Sequence, residues 1–105
     1  MKPFNSNQKT CTKTMKLLGD YWTLRIIETL RNGETRFCEL QRKLDNVNPA
    51  TLTNRLKTLE DTKLIRRSEE TLDKISVTYC LSELGKEVLP VIRALDRFAL
   101  KSKIQ

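Results

Sequence analysis

Apolar residues recur with the spacing of an α-helix in four stretches of the first part of the chain. The four sets are Cys11, Met15 and Leu18; Trp22, Ile26, Ile27 and Leu30; Phe37, Leu40 and Leu44; and Leu52, Leu56 and Leu59. Gly19 and Gly33 are natural stops for the first two helices, and Asp20 is a natural cap for the second. Residues 1–8 precede the pattern, so we expect a flexible arm there and one folded domain over residues 9–105.

The fourth helix begins with two strong signals and is predicted over about residues 49–61. The side-chain oxygen of Asn48 can cap the first turn, and Pro49 loses no hydrogen bond at the first helical position. Only a polar turn, residues 45–48, separates this helix from the third one. Two amphipathic helices joined in this way are typical of a helix-turn-helix.

The outward side of this fourth helix is small or hydrogen-bonding in its first half and acidic only at its end. The outward residues are Ala50, Thr51, Thr53, Asn54, Arg55 and Lys57, followed by Glu60 and Asp61. This gradient suits a recognition helix in the major groove of DNA, although an ordinary surface helix is also polar on one side. Because Asn54 and Arg55 lie off the leucine stripe, we expect that replacing either one leaves the fold intact.

A β-hairpin is predicted over about residues 64–81. Apolar and polar residues alternate with a period of two from Ile75 to Leu81, and residues 64–68 form a short stretch without a helix-length continuation. Residues 69–74, which are polar except for Leu72, would be the exposed tip of this hairpin, and residues 35–37 allow one further brief strand. The predicted fold is therefore mainly α with a small antiparallel β-hairpin, a winged helix-turn-helix.

The last predicted helix, about residues 83–101, is capped by Ser82 and carries more than one apolar stripe. Its apolar positions are Leu84, Val88, Leu89, Val91, Ile92, Leu95, Phe98 and Ala99. Pro90 should bend it, because proline removes one main-chain hydrogen bond inside a helix. So broad an apolar surface exceeds what one small domain covers, so we expect a homodimer.

Composition narrows the classes of function. The chain has 105 residues and a net charge of +7, which favours a polyanionic partner. It has no histidine, three cysteines at long spacings and three glycines, so no pattern indicates an enzyme, a metal site or a cofactor. No apolar run is long enough to cross a membrane and no secretory signal is present, so we expect a cytoplasmic protein.

Four motifs in order carry a family resemblance: Gly-Asp-Tyr-Trp at 19–22, Arg-Phe-Cys-Glu-Leu at 36–40, Thr-Leu-Thr-Asn-Arg-Leu-Lys-Thr-Leu-Glu at 51–60 and Leu-Ser-Glu-Leu-Gly at 81–85. With them the chain resembles the HxlR-type winged-helix transcriptional regulators over about residues 11–98. The resemblance implies a homodimer that binds duplex DNA at a palindromic operator, joined through its N-terminal and C-terminal helices. The implied interface residues are Leu18, Val88, Ile92, Leu95 and Phe98.

The same resemblance assigns candidate DNA contacts. Thr51, Thr53, Asn54 and Arg55 fall where the family's recognition helix meets DNA, and Lys57 follows on the same helix. Asn54 stands in place of the more usual Gln, and both amides can form a bidentate pair with adenine.

The wing departs from the family pattern, because Ser76 stands at a usual arginine position and residues 69, 70 and 73 are acidic. Arg66 and Lys74 are then the best wing candidates, with Arg67 an alternative to Arg66. The acidic wing also keeps open a winged-helix interaction module that does not bind DNA.

Cys11 is a candidate redox residue. Some members of the resembled family sense oxidants through an N-terminal cysteine, and Lys9 and Lys13 would favour the reactive thiolate. The helical spacing of Cys11 with Met15 and Leu18 favours simple packing instead.

Overall fold

A computed structural model describes residues 7–70 and 76–103, with side chains from residue 12 onward. The elements in chain order are α1 (Asn7–Leu18), α2 (Tyr21–Leu30), β1 (Thr35–Arg36), α3 (Phe37–Lys43), α4 (Pro49–Asp61), β2 (Ile65–Glu70), β3 (Ser76–Leu81), α5 (Glu83–Lys86) and α6 (Leu89–Ser102). The winged helix-turn-helix architecture predicted from the sequence is confirmed. No helix in these ranges is long and apolar enough to span a membrane.

The core is made by the predicted helical stripes of α2, α3 and α4. Eight aliphatic side chains are almost completely buried: Ile26, Ile27, Leu30, Leu40, Leu44, Leu52, Leu56 and Leu59. Val88 and Ile92 close the core from the C-terminal side, and Trp22 and Phe37 pack against its edge. Burial of each such side chain stabilises the fold by about 1.5–3 kcal/mol, so these stripes hold α4 against the core.

The turn between α3 and α4 is held by hydrogen bonds although it contains no glycine. Asp45 and Asn46 adopt positive φ values of 60° and 57°. The Asn46 amide donates to the Gln41 carbonyl at 2.9 Å, and Gln41 Nε2 donates to the Val47 carbonyl at 2.9 Å. The Asn48 side chain then accepts from the Ala50 amide at 2.8 Å, so α4 starts at Pro49 as predicted.

The sheet has three strands in the order β1-β3-β2, all antiparallel. The predicted brief strand is present as β1, with Thr35 opposite Tyr79. The strand β2 is longer than expected, because Glu69 and Glu70 pair with β3 instead of belonging to the tip. Residues 71–75, which include Lys74, lie outside the described residues.

The predicted helix over residues 83–101 is two helices. Ser82 caps α5 as expected, since its hydroxyl accepts from the Gly85 amide at 3.0 Å and donates to the Lys63 carbonyl at 2.6 Å. Pro90 lies in the first turn of α6. Proline has no N–H for the Lys86 carbonyl and its ring would clash there, so α5 ends and α6 starts anew. The prediction of one bent helix is therefore wrong.

The helix α1 begins at Asn7, two residues earlier than the sequence suggested. Asn7 and Gln8 are helical and do not belong to an arm, whereas residues 1–6 lie outside the described part of the chain. The helix ends at Leu18, and Gly19, which follows it, donates its amide to the Met15 carbonyl at 2.8 Å.

Candidate nucleic-acid interface

The outer side of α4 is a stripe of exposed polar side chains opposite the buried leucines. At 100° per residue, Ala50, Asn54 and Lys57 lie at the centre of this stripe, with Thr51 and Thr53 at its edges. All are exposed except Thr51, which is half-buried. Within the described part of the chain, no side-chain hydrogen bond or ion pair is formed by Thr51, Thr53, Asn54 or Lys57. Their polar groups are therefore available to an external partner.

Arg55 lies at the flank of α4, where it faces the start of α2. Its Nε is 2.9 Å from Asp20 Oδ2 and its Nη2 is 3.1 Å from Asp20 Oδ1, a bidentate ion pair. Two parallel charge-assisted hydrogen bonds hold both planar groups in one orientation. In this structure Arg55 is thus engaged within the chain, unlike Asn54 and Lys57.

Asp20 is held from its own helix as well. Its Oδ2 accepts the Thr23 amide and the Thr23 hydroxyl, each at 3.0 Å, so it caps α2 as predicted. The hydrogen bond from Arg55 lowers the pKa of Asp20 from 3.8 to about 2, opposed by burial and assisted by the two bonds from Thr23. The carboxylate is therefore ionised throughout the physiological pH range. Sequence reasoning identified the cap and missed the ion pair.

The wing presents one cation without an ion pair in the part of the chain that the structure describes. Arg66 is exposed on β2 opposite Cys80. Arg67 is 3.1 Å from Glu69, and a hydrogen bond with Tyr79 is the main cause of its raised pKa. Arg66 rather than Arg67 is therefore the wing arginine that is available to a phosphate.

A second exposed surface is apolar and lies on α6. Val91, Leu95 and Phe98 follow one another at helical spacing and are 45%, 49% and 62% exposed. The expectation for Val88 and Ile92 needs correction, because both are buried in the core of their own chain. The apolar stripe on α6 that is open to a partner is the one formed by Val91, Leu95 and Phe98.

An apolar groove of about 350 Å³ runs beside this stripe, between α1 and the α5–α6 region. Its apolar lining consists of Leu17, Leu18, Leu64, Leu84, Val88 and Val91. Leu18 is half-buried and forms part of the groove wall. Leu84 and Met15, which the sequence placed on apolar stripes without assigning them to the interface, are 51% and 62% exposed.

The described residues include two free thiols but no group of side chains placed to bind a metal ion. Among residues 12–70 and 76–103, no three acidic, cysteine or histidine side chains are placed to hold a metal ion. Cys38 is an exposed free thiol and Cys80 a half-buried one. The backbone of Cys11 lies in α1, and its side chain is outside the described residues.

Comparisons of the sequence and of the structure with known proteins both find matches to this chain. The sequence model of the HxlR-like helix-turn-helix family matches residues 17–104. An uncharacterized HTH-type transcriptional regulator of Methanothermobacter thermautotrophicus is 36% identical over 78 residues, which are 74% of this chain and 60% of that protein, less than two thirds of its length.

Two solved structures share the fold. A protein from Porphyromonas gingivalis W83 assigned to the MarR family of transcriptional regulators superposes with a TM-score of 0.84 at 27% identity, covering 94% of this chain and 97% of that one. The reduced form of the transcriptional regulator YodB from Bacillus subtilis superposes with a TM-score of 0.77 at 26% identity, covering 92% of each chain.

Proposed function

Because this chain belongs to the HxlR-like helix-turn-helix family of transcriptional regulators, we propose that it binds a palindromic duplex-DNA operator as a homodimer. It is a DNA-binding transcription regulator, and we infer that it acts in the cytoplasm. The single observation that carries the proposal is the outer stripe of α4, whose polar side chains have no partner among the described residues.

The roles of the α4 residues follow from their chemistry. The Asn54 amide can donate to and accept from adenine in the major groove, which reads sequence. Lys57 carries a charge suited to a phosphate, and the hydroxyls of Thr51 and Thr53 can bond either phosphate or base edges. Ala50, at the first turn, leaves room for the helix to approach the groove. The acids Glu60 and Asp61 come at the end of α4, and Asp61 lies one turn beyond Lys57.

The wing would add contacts to the sugar-phosphate backbone. Arg66 supports this part of the proposal because its guanidinium is exposed and has no ion pair within the described residues. Lys74, assigned from the sequence, would extend the contact toward the tip. Glu69 is partly neutralised by Arg67, which reduces the repulsion that an acidic wing would otherwise exert on phosphate.

The proposed dimer forms through the apolar stripe of α6 and the adjoining groove. Leu95 and Phe98 of one chain would enter the groove of its partner, where they would contact Leu18 and Leu84. A contiguous exposed apolar surface on a small protein is typical of an interface, and a two-fold axis is the commonest symmetry. The two α4 helices would then enter successive major grooves ~34–36 Å apart, which requires a palindromic site.

Selection of bound duplexes from a random pool tests the function. We expect a palindromic consensus whose half-sites are spaced by one helical turn or a multiple of it. Asn54→Ala should weaken binding to the selected duplex by about 1–3 kcal/mol, because a bidentate base contact is lost. Asn32→Ala, an exposed asparagine in the turn after α2, is the matched control and should bind like the parent.

A selection that yields no consensus would favour the second candidate function, a winged-helix interaction module that does not bind DNA. In that case no duplex would be enriched, and retention on DNA would not depend on salt. A consensus without two-fold symmetry would still support DNA binding, but it would contradict the proposed geometry of the dimer.

A further inference from the structure

The ion pair between Asp20 and Arg55 joins two elements that are far apart in the sequence. Asp20 is the residue before α2, and Arg55 is in the middle of α4, 35 residues later. Of the four ion pairs within the described residues, it is the one that connects two helices, since the others are local. It is therefore placed to influence how α4 is oriented.

The rest of the α2–α4 contact leaves that orientation partly open. The two helices meet in an aliphatic core to which Ile26 and Ile27 of α2 and the buried leucines of α4 belong. Apolar contacts are not directional, so helices packed in this way tolerate small rotations about their axes. The bidentate pair is directional, because both N–H···O bonds are lost if α4 rolls or slides by about an ångström.

The start of α2, which holds the Asp20 carboxylate, is itself held in place by hydrogen bonds and burial. Asp20 accepts two hydrogen bonds from Thr23, which is buried in α2, and Ile26 and Ile27 of the same helix are fully buried. Arg55 lies about 100° around α4 from Asn54, so a roll that breaks the pair also turns Asn54 away from its position.

We propose that the Asp20–Arg55 pair is a positioning contact that sets the roll of α4, so that Arg55 serves DNA recognition through Asp20 and not by touching DNA. The inference rests on the proposed DNA-binding function. Arg55 is consequently a positioning residue, and the residues that touch DNA are those of the outer stripe.

The test is a double-mutant cycle with Asp20→Asn, Arg55→Ala and the double variant. Asparagine is chosen because it retains the size of Asp20 and its ability to cap α2. Each protein is titrated with the duplex selected by the parent and with a random-sequence duplex of equal length. Glu83→Gln removes a carboxylate from an exposed pair with Lys86 and is the matched control. All titrations are made well below the melting temperature of every variant.

We expect each single variant to bind the selected duplex about tenfold more weakly, and the double variant no more weakly than either single one. Affinity for the random duplex should change by less than about twofold, since phosphate contacts remain. A loss that came only from unfolded protein would lower both affinities equally, so the ratio of the two affinities isolates positioning.

Three results would overturn the inference. Asp20→Asn that binds the selected duplex as tightly as the parent would mean that the pair does not position α4, and tighter binding would mean that the carboxylate restrains an arginine which contacts DNA. A salt dependence of Arg55→Ala reduced by about one phosphate contact, with effects additive to those of Asp20→Asn, would mean the same. A parent that prefers no duplex would overturn the proposed function together with this inference, and so is distinguishable from the first two results.

Discussion

Replacing Arg55 by alanine should destabilise the protein at neutral pH and have little effect near pH 2. In the folded chain the pKa of Asp20 is lowered from 3.8 to about 2, chiefly by the Arg55 hydrogen bond. A lowered carboxyl pKa contributes stability above the unfolded pKa, and that contribution is lost as the pH falls through the folded pKa. The window for the loss is therefore about pH 4 to pH 2.

The size of the effect follows from the same pKa. Its lowering from 3.8 to about 2 corresponds to roughly 2.4 kcal/mol of differential stabilisation of the charged carboxyl. Part of that comes from Thr23, which remains in the variant. The side chains of Arg55 and Asp20 are also 36% and 30% exposed, so solvent screens the pair. We therefore expect a loss of about 1 kcal/mol at pH 7 in the free energy of unfolding.

Urea unfolding followed by circular dichroism, at one protein concentration and at pH 7, 4, 3 and 2.5, measures this difference. Arg31→Ala, an exposed arginine without an ion pair in the described residues, is the control and should differ from the parent equally at every pH. A cost of Arg55→Ala that is the same at pH 7 and pH 2.5 would refute the reasoning, because it would assign the stabilisation to packing of the arginine stem. NMR titration should also find the Asp20 pKa raised in the variant.

Further predictions concern the other surfaces. Lys57→Ala should weaken binding to all duplexes alike and reduce the slope of log K against log salt by ~0.9; an unchanged slope would exclude a phosphate contact. Leu95→Glu with Phe98→Glu should sediment as a monomer and lose operator binding, whereas a dimeric variant would place the interface elsewhere. Gly85→Ala should lower the free energy of unfolding by ~1–3 kcal/mol in denaturant melts, because a Cβ at this position would clash with the main-chain carbonyl oxygen of Leu64. If Cys11 is a redox sensor, diamide will change the operator affinity of the parent and not of Cys11→Ser; equal affinities would assign it to packing.

The parts of the fold that the sequence predicted well are those fixed by local signals. The span of α4 follows from the cap at Asn48, the proline beside it and the leucine spacing, all within one segment. The partner of Arg55 could not be found in this way. Asp20 is 35 residues distant, and no local pattern pairs a capping carboxylate with a guanidinium on another helix. Only the packing of α2 on α4 brings the two together.

The C-terminal region shows a different limit. The breadth of its apolar surface was visible in the sequence, but the spacing does not say which side meets the core. Packing buries Ile92 and leaves Leu95 exposed, three residues further on. Pro90 was expected to bend one long helix. A proline is equally suited to the first turn of a new helix, which is its position in α6, after the separate helix α5 that Ser82 caps.

The wing was underestimated for a related reason. Residues 69 and 70 belong to a segment that is polar except for Leu72, so they were expected at the tip. Their main chain nevertheless pairs with β3, where Glu69 lies opposite Val77 and Glu70 opposite Ser76. The length of β2 is thus set by the partner strand and not by its own side chains, and this information is absent from the β2 segment itself.

The two sides of α4 should therefore respond differently to substitution. Asn54 lies on the outer stripe and has no partner among the described residues, so changing it should alter which base is preferred at one position of each half-site. Arg55 is bonded to Asp20 and sets the roll of the helix, so changing it should weaken discrimination at every position that α4 reads. A change of Arg55 that altered the preference at a single base pair would instead show that its guanidinium leaves Asp20 to contact that base.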